Sequence, residues 1–126
     1  MLKLIIGGNN TMVVENFIRT ENMDQIKCNY YYRLIKGKIL ITYEMDTIEV
    51  ESYGIEIERQ DLQDGKLINI ERDCVKNISP EGHKVHNLLK LLHDNLVSPI
   101  HLIEVLGEYI DEYIVDFDKN IKYIAY

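Results

Sequence analysis

The side chains of this 126-residue chain best able to do chemistry are four histidines, two cysteines and a tyrosine-rich stretch beside an arginine. His83 and His86 stand three residues apart, a spacing that can set two imidazoles on one metal ion if the segment is helical. His93 follows seven residues after His86, about 10 Å along a helix axis and too far to share that ion. His101 could approach either, and Glu81 or Asp94 could supply a further ligand. No HExxH or CxxC pattern accompanies them. Half-buried histidines flanking an apolar stripe are therefore the preferred reading, with His83 and His86 the candidate metal pair. No cofactor is expected.

A nucleophilic cysteine needs a lowered pKa, from a cation or a helix N-terminus. Cys74 has Arg72 and Lys76 nearby, but Asp73 precedes it and it stands several residues before the next helix. Cys28 falls on the apolar face of a strand. Both read as structural thiols. Ser79 and Ser98, each followed by proline, read as helix caps rather than nucleophiles. Gly7-Gly8 lacks the lysine and the strand–helix setting of a phosphate loop. With 21 acidic residues, no pair of carboxylates is diagnostic. No catalytic residue is assigned.

Binding residues are easier to nominate. Tyr31 and Arg33 share the non-core face of one strand and could stack a planar ligand or a partner side chain. Acids line two surfaces: Glu49, Glu51, Glu56 and Glu58 along a strand pair, and Glu104, Glu108, Asp111, Glu112 and Asp116 along the last helix. Either surface could meet a basic partner or simply face water.

These residues depend on elements that the pattern makes plain. From Thr47 to Glu58 apolar and acidic residues alternate, the signature of a strand with one dry face. Ile48 and Val50 are even-numbered, whereas Ile55 and Ile57 are odd, so the phase slips at Tyr53-Gly54 and a bulge or short turn is expected there. Ile26, Cys28, Tyr30, Tyr32 and Leu34 mark an earlier strand's apolar face. Lys36-Gly37 suggests a tight hairpin into Lys38–Glu44, Met45-Asp46 allows another reversal, and Asp64-Gly65 a third before Lys66–Glu71. Residues 1–25 are less defined: a short strand over Leu2–Ile6, a turn at Gly7–Asn10, and Met12–Ile18 as a strand, with a helix capped by Thr11 the alternative.

After Ser79-Pro80 the period changes. Val85, Leu88, Leu89, Leu92 and Leu96 line one face of a helix. After Ser98-Pro99, Leu102, Ile103, Leu106, Tyr109, Ile110, Tyr113, Ile114 and Phe117 line a wider apolar arc of about 140°. Strands followed by helices give an α+β fold: an antiparallel meander of four to six strands with two amphipathic helices packed on one face. The expected organisation is a single domain over 1–126, with the sheet in 26–72 and the helices in 79–117.

Four pieces of the chain, Tyr31–Ile35, Tyr53–Ile57, the Ile78-Ser79 step into a leucine-bearing helix, and Val97–Leu102, resemble a small family of uncharacterised proteins from spore-forming anaerobic bacteria. The resemblance covers about residues 29–115 and implies a bacterial cytoplasmic protein, with no activity, cofactor or catalytic residue attached.

The formal charge of −7 disfavours phosphate backbones, and no basic stripe offsets it. No apolar run approaches the length that crosses a bilayer, and the apolar start is too short for a signal peptide. Two unpaired cysteines fit a reducing cytoplasm. The expected role is a non-enzymatic interaction or regulatory module, self-associating through the wide arc of the last helix and the apolar residues Ile121, Tyr123, Ile124 and Tyr126. The alternative is a small-molecule or metal-binding domain.

Overall fold

The computed structural model describes residues 3–5 and 11–119. The turn expected at Gly7–Asn10 and the apolar residues Ile121, Tyr123, Ile124 and Tyr126 lie outside them. The alternating segments form β1 (Lys3–Ile5), β2 (Met12–Met23), β3 (Ile26–Tyr43), β4 (Asp46–Gln63) and β5 (Lys66–Ser79). All pair antiparallel in one sheet, with β1 and β2 sharing one edge of β3 while β4 and then β5 lie on its other side. Then come α1 (Gly82–Asp94), a 3-10 turn (Pro99–His101) and α2 (Leu102–Tyr113). Helical backbone resumes over 115–119. This is the expected α+β meander, although its sheet starts before residue 26 and runs on to Ser79.

The hairpin expected at Lys36-Gly37 does not form. β3 and β4 are 18 residues each, about 60 Å of extended chain, and pair without interruption through Lys36↔Tyr53 and Gly37↔Ser52. Continuing the ladder sets Ile39 opposite Val50 and Ile41 opposite Ile48. Those cross-strand apolar pairs outweigh the local turn signal. The chain reverses instead at Glu44-Met45, one residue before the expected Met45-Asp46, with left-handed φ angles of 47° and 73°. Asp64-Gly65 turns as expected, at 51° and 77°. Gly65 takes that geometry without a Cβ penalty.

The serine caps also differ from expectation. α1 begins at Gly82 with Glu81 at the N-cap. Ser79 Oγ accepts the Glu81 backbone N–H (3.0 Å) and donates to Asp116 Oδ2 (3.0 Å). Ser98 does stand at an N-cap, that of the 3-10 turn with Pro99 first, but makes no capping hydrogen bond through its side chain.

The core has two parts. The larger joins Cys28, Tyr30, Tyr32 and Leu34 of β3 and Ile55 and Ile57 of β4 to Val85, Leu88, Leu89 and Leu92 of α1 and Leu102 and Leu106 of α2. The smaller joins Ile39 and Ile41 of β3, Val50 of β4 and Phe117. Successive strand residues point to opposite faces, and β3 pairs with β4 in unbroken register. The two clusters therefore use opposite faces of one ribbon, and the change falls where Leu34, Ile35, Gly54 and Ile55 are all buried.

At this point β5 bulges. Tyr53 pairs with Ser79 and Ile55 with Val75, so Lys76, Asn77 and Ile78 stand opposite Gly54 alone. The Val75 and Lys76 carbonyls occupy the space a Gly54 Cβ would need; Lys76 C would be 2.6 Å away. The irregularity expected at Tyr53-Gly54 is there, but β4 itself does not bulge: its pairing with β3 is unbroken, and the extra residues belong to β5. Gly54→Ala should lower unfolding free energy by about 2–3 kcal/mol, the scale of overpacking against fixed backbone. Gly107→Ala, inside α2 with open space around its Cβ position, should raise it by about 0.5–1 kcal/mol. Urea denaturation of both variants checks the contrast; equal stability for Gly54→Ala and wild type would contradict the crossing.

Candidate functional site

On the face opposite α1, side chains form a grid across four strands. Ile18, Tyr31, Glu58 and Arg72 make one row, and Asn16, Arg33, Glu56 and Cys74 the next. The nominated Tyr31 and Arg33 are at its centre. Arg33 lies over the Tyr31 ring at 5.2 Å and donates to Glu56 (2.8 Å) and Glu58 (3.3 Å). Glu58 also accepts from Arg72 Nε (2.7 Å) and from Gln60. Overlaid by these longer side chains, Glu58 is only 2% exposed. Burial alone would raise its carboxyl pKa, but hydrogen bonds from Gln60, Arg72 and Arg33 overcome that and hold it below the ordinary 4.5. The Arg33 charge is thus committed within the sheet, and Glu58 is a compensated anion poorly suited to proton transfer near neutral pH.

The histidines divide. His86 Nδ1 meets Glu15 Oε2 at 2.6 Å. Phe17 packs at 5.9 Å from both the His86 and His93 rings, and His93 also meets Tyr32 edge-on. Arg19 completes this seam by donating to the His93 and Asp94 carbonyls, closing the C-terminal end of α1 from the sheet. His83 is 71% exposed in its side chain and its nearest acid is Glu81, at 3.9 Å. The candidate metal pair therefore does not converge with a third ligand. Among the described residues no group of three or more His, Cys, Asp or Glu could hold a metal ion.

Cys28 is buried and Cys74 half-buried, and both are free thiols. They cannot pair with each other: Cys28 stands opposite Asp61 on the α1 face, whereas Cys74 stands opposite Glu56 on the other. Burial first, and then nearby acids, push both thiols above their ordinary pKa. Neither is activated as a nucleophile.

α2 presents a different kind of surface. Leu102 and Leu106 face the larger core. Past Ile114, Asp116 accepts from Lys84 Nζ (2.9 and 3.0 Å) and from Ser79, while Phe117 closes the smaller core. Burial again opposes ionisation of Asp116, yet Lys84 and Ser79 hold its pKa below 3.8. Fixed at both ends, α2 leaves Ile103 (60% exposed) facing outward, with Ile100 (71%) exposed in the 3-10 turn before it and Ile114 (48%) and Val115 (49%) exposed just after it. Glu104 and Glu108 are exposed on the same helix. Periodicity had grouped Ile103 and Ile114 with Leu102 and Leu106 in one arc; the packed structure splits that arc between core and solvent. The Ser79–Lys84–Asp116 fastening has no sequence signature, because its members are 32 and 37 residues apart.

Removing the Glu58 charge should be felt in a defined pH window. A carboxyl whose folded pKa lies below its unfolded value stabilises the fold above about pH 4.5 and loses that contribution as pH falls through the folded value. Glu58→Gln should cost about 1–3 kcal/mol at pH 7, and the gap from wild type should shrink below pH 4. Chemical denaturation at pH 7 and pH 3 checks this, and an unchanged gap would contradict it.

No described helix is long and apolar enough to cross a membrane. Neither a curated protein nor a solved structure matches the chain. Residues 11–112 match a family described as Family of unknown function (DUF6514), a span that takes in β2 to β5, α1 and almost all of α2. The chain belongs to that family.

Proposed function

We propose that the protein is a non-enzymatic interaction module whose contact surface is the outward side of α2. The observation that carries this reading is that Ile103 of α2, Ile100 in the 3-10 turn before it and Ile114 at its C-cap are each about half or more exposed, while the core beneath holds the helix. Large apolar side chains grouped on one exposed side mark contact surfaces more often than singly scattered ones do. The other nominated groups have internal roles: Arg33 pairs with Glu56 and Glu58, and His86 with Glu15. Two free thiols on opposite faces of the sheet suit a reducing compartment, which supports a bacterial cytoplasmic setting.

The double variant Ile103→Asp/Ile114→Asp alters solvent-facing positions and should melt within a few degrees of wild type. In extracts of the cells that make the protein, wild type should migrate well above the 14.8 kDa of one chain, and the double variant as a single chain. Single-chain migration of both would overturn the reading.

A further inference from the structure

We infer that the occupant of the α2 surface is a cationic amphipathic helix rather than a second copy of this chain. The inference rests on the interaction-module reading and identifies the partner class. Ile100, Ile103, Gly107, Ile110 and Ile114 recur at alternating spacings of three and four, the seam of a helix–helix contact; Ile110 is half-buried against the larger core, and Ile100, Ile103 and Ile114 are the exposed members. Along α2 and its C-cap, Ile103, Gly107, Ile110 and Ile114 fall in an arc of about 60° at 100° per residue. Gly107 lies mid-seam with nothing within 4 Å of its Cβ position, leaving a notch for a large incoming side chain.

Charge decides what fits. In the heptad this seam defines, the side toward the sheet is taken by Leu106 and Tyr113, which pack on the larger core. The open side carries Glu104 and Asp111, with Glu108 and Glu112 beyond them, all exposed. Residues 96–118 contain six acids and no lysine or arginine. Glu104 has exposed His101 beside it, at 3.5 Å, and among the described residues no ion pair or side-chain hydrogen bond involves Glu108, Asp111 or Glu112. A second copy docked antiparallel on this seam would set one acid row against the same row of its twin, which repels. Docked parallel, it would set the acids against the Leu106 and Tyr113 flank, which the core already occupies. A helix with apolar seam residues and flanking lysines or arginines meets Glu104 and Asp111 with opposite charge. An anionic lipid surface is disfavoured by the same acids.

The test uses the full-length protein and three labelled peptides of about 20 residues. One has leucine at the seam positions and lysine beside them, one replaces those lysines with glutamate, and one scrambles the cationic sequence. Fluorescence anisotropy reads affinity, and isoleucine methyl spectra locate the contact. The cationic amphipathic peptide should bind at least tenfold more tightly than either control and shift the Ile103, Ile110 and Ile114 methyls. Ile103→Asp should weaken it at least tenfold, and raising salt from 50 to 500 mM at least threefold. Glu104→Lys/Asp111→Lys, folded by its melting curve, should reverse the preference toward the glutamate peptide.

Equal binding of the scrambled peptide, preference for the glutamate peptide, or concentration-dependent self-association that shifts the same methyls would overturn the inference. If the cationic peptide fails while an Ile103-dependent assembly persists in extracts, the partner class alone is wrong. If that assembly is also missing, the interaction reading fails with it.

Discussion

The constraint on which the rest of the structure depends is the crossing of β5 over Gly54. The buried apolar residues of the two long strands, 36 residues together, do not share one face. The buried face changes partway along. Leu34 and Ile55 look toward α1; Ile39 and Val50 look the other way. The change is possible because β5 leaves the regular ladder at Val75, lays its carbonyls where a Gly54 side chain would stand, and rejoins at Tyr53. Only glycine lets two backbones approach this closely.

Everything C-terminal follows from where that crossing delivers the chain. Ser79 emerges buried beside Asp116, and Lys84, one turn into α1, supplies the countercharge. Two charged groups drawn partly out of water need this mutual pairing, since either alone would be costly. The pairing ties the end of the helical layer to its beginning. Leu106 then packs on one cluster and Phe117 on the other. A helix anchored at both ends cannot roll to bury its remaining apolar side chains, so Ile103 and Ile114 stay outside.

Much of this was legible from the chain. Alternation marked β3 and β4, the change from period two to 3.6 marked both helices, and the inverted phase of Ile48 and Val50 against Ile55 and Ile57 located the bulge. Its cause was not legible, because it lies in Lys76–Ile78 of another strand. Lys36-Gly37 misled for a related reason: its turn chemistry is local, whereas the pairing of Ile39 with Val50 that defeats it is not. Glu44-Met45 turns at positive φ without the asparagine or glycine that announces such geometry. For the site, Tyr31 and Arg33 were placed on the correct face, but register with β4 was needed to show that Glu56 and Glu58 already claim the arginine. The α2 arc was read as one surface because periodicity reports which side chains share a helix face, not how far around that face its neighbours reach.

The most direct test of the two-faced ribbon and the fixed helix is a methyl–aromatic nuclear Overhauser spectrum of the intact protein. The account predicts cross-peaks from the Phe117 ring to Ile39, Ile41 and Val50, from Leu89 and Leu92 to Ile55 and Ile57, and none from Ile103 or Ile114 to any strand. Cross-peaks from Phe117 to Ile55 or Ile57, or from Ile103 to the sheet, would contradict it.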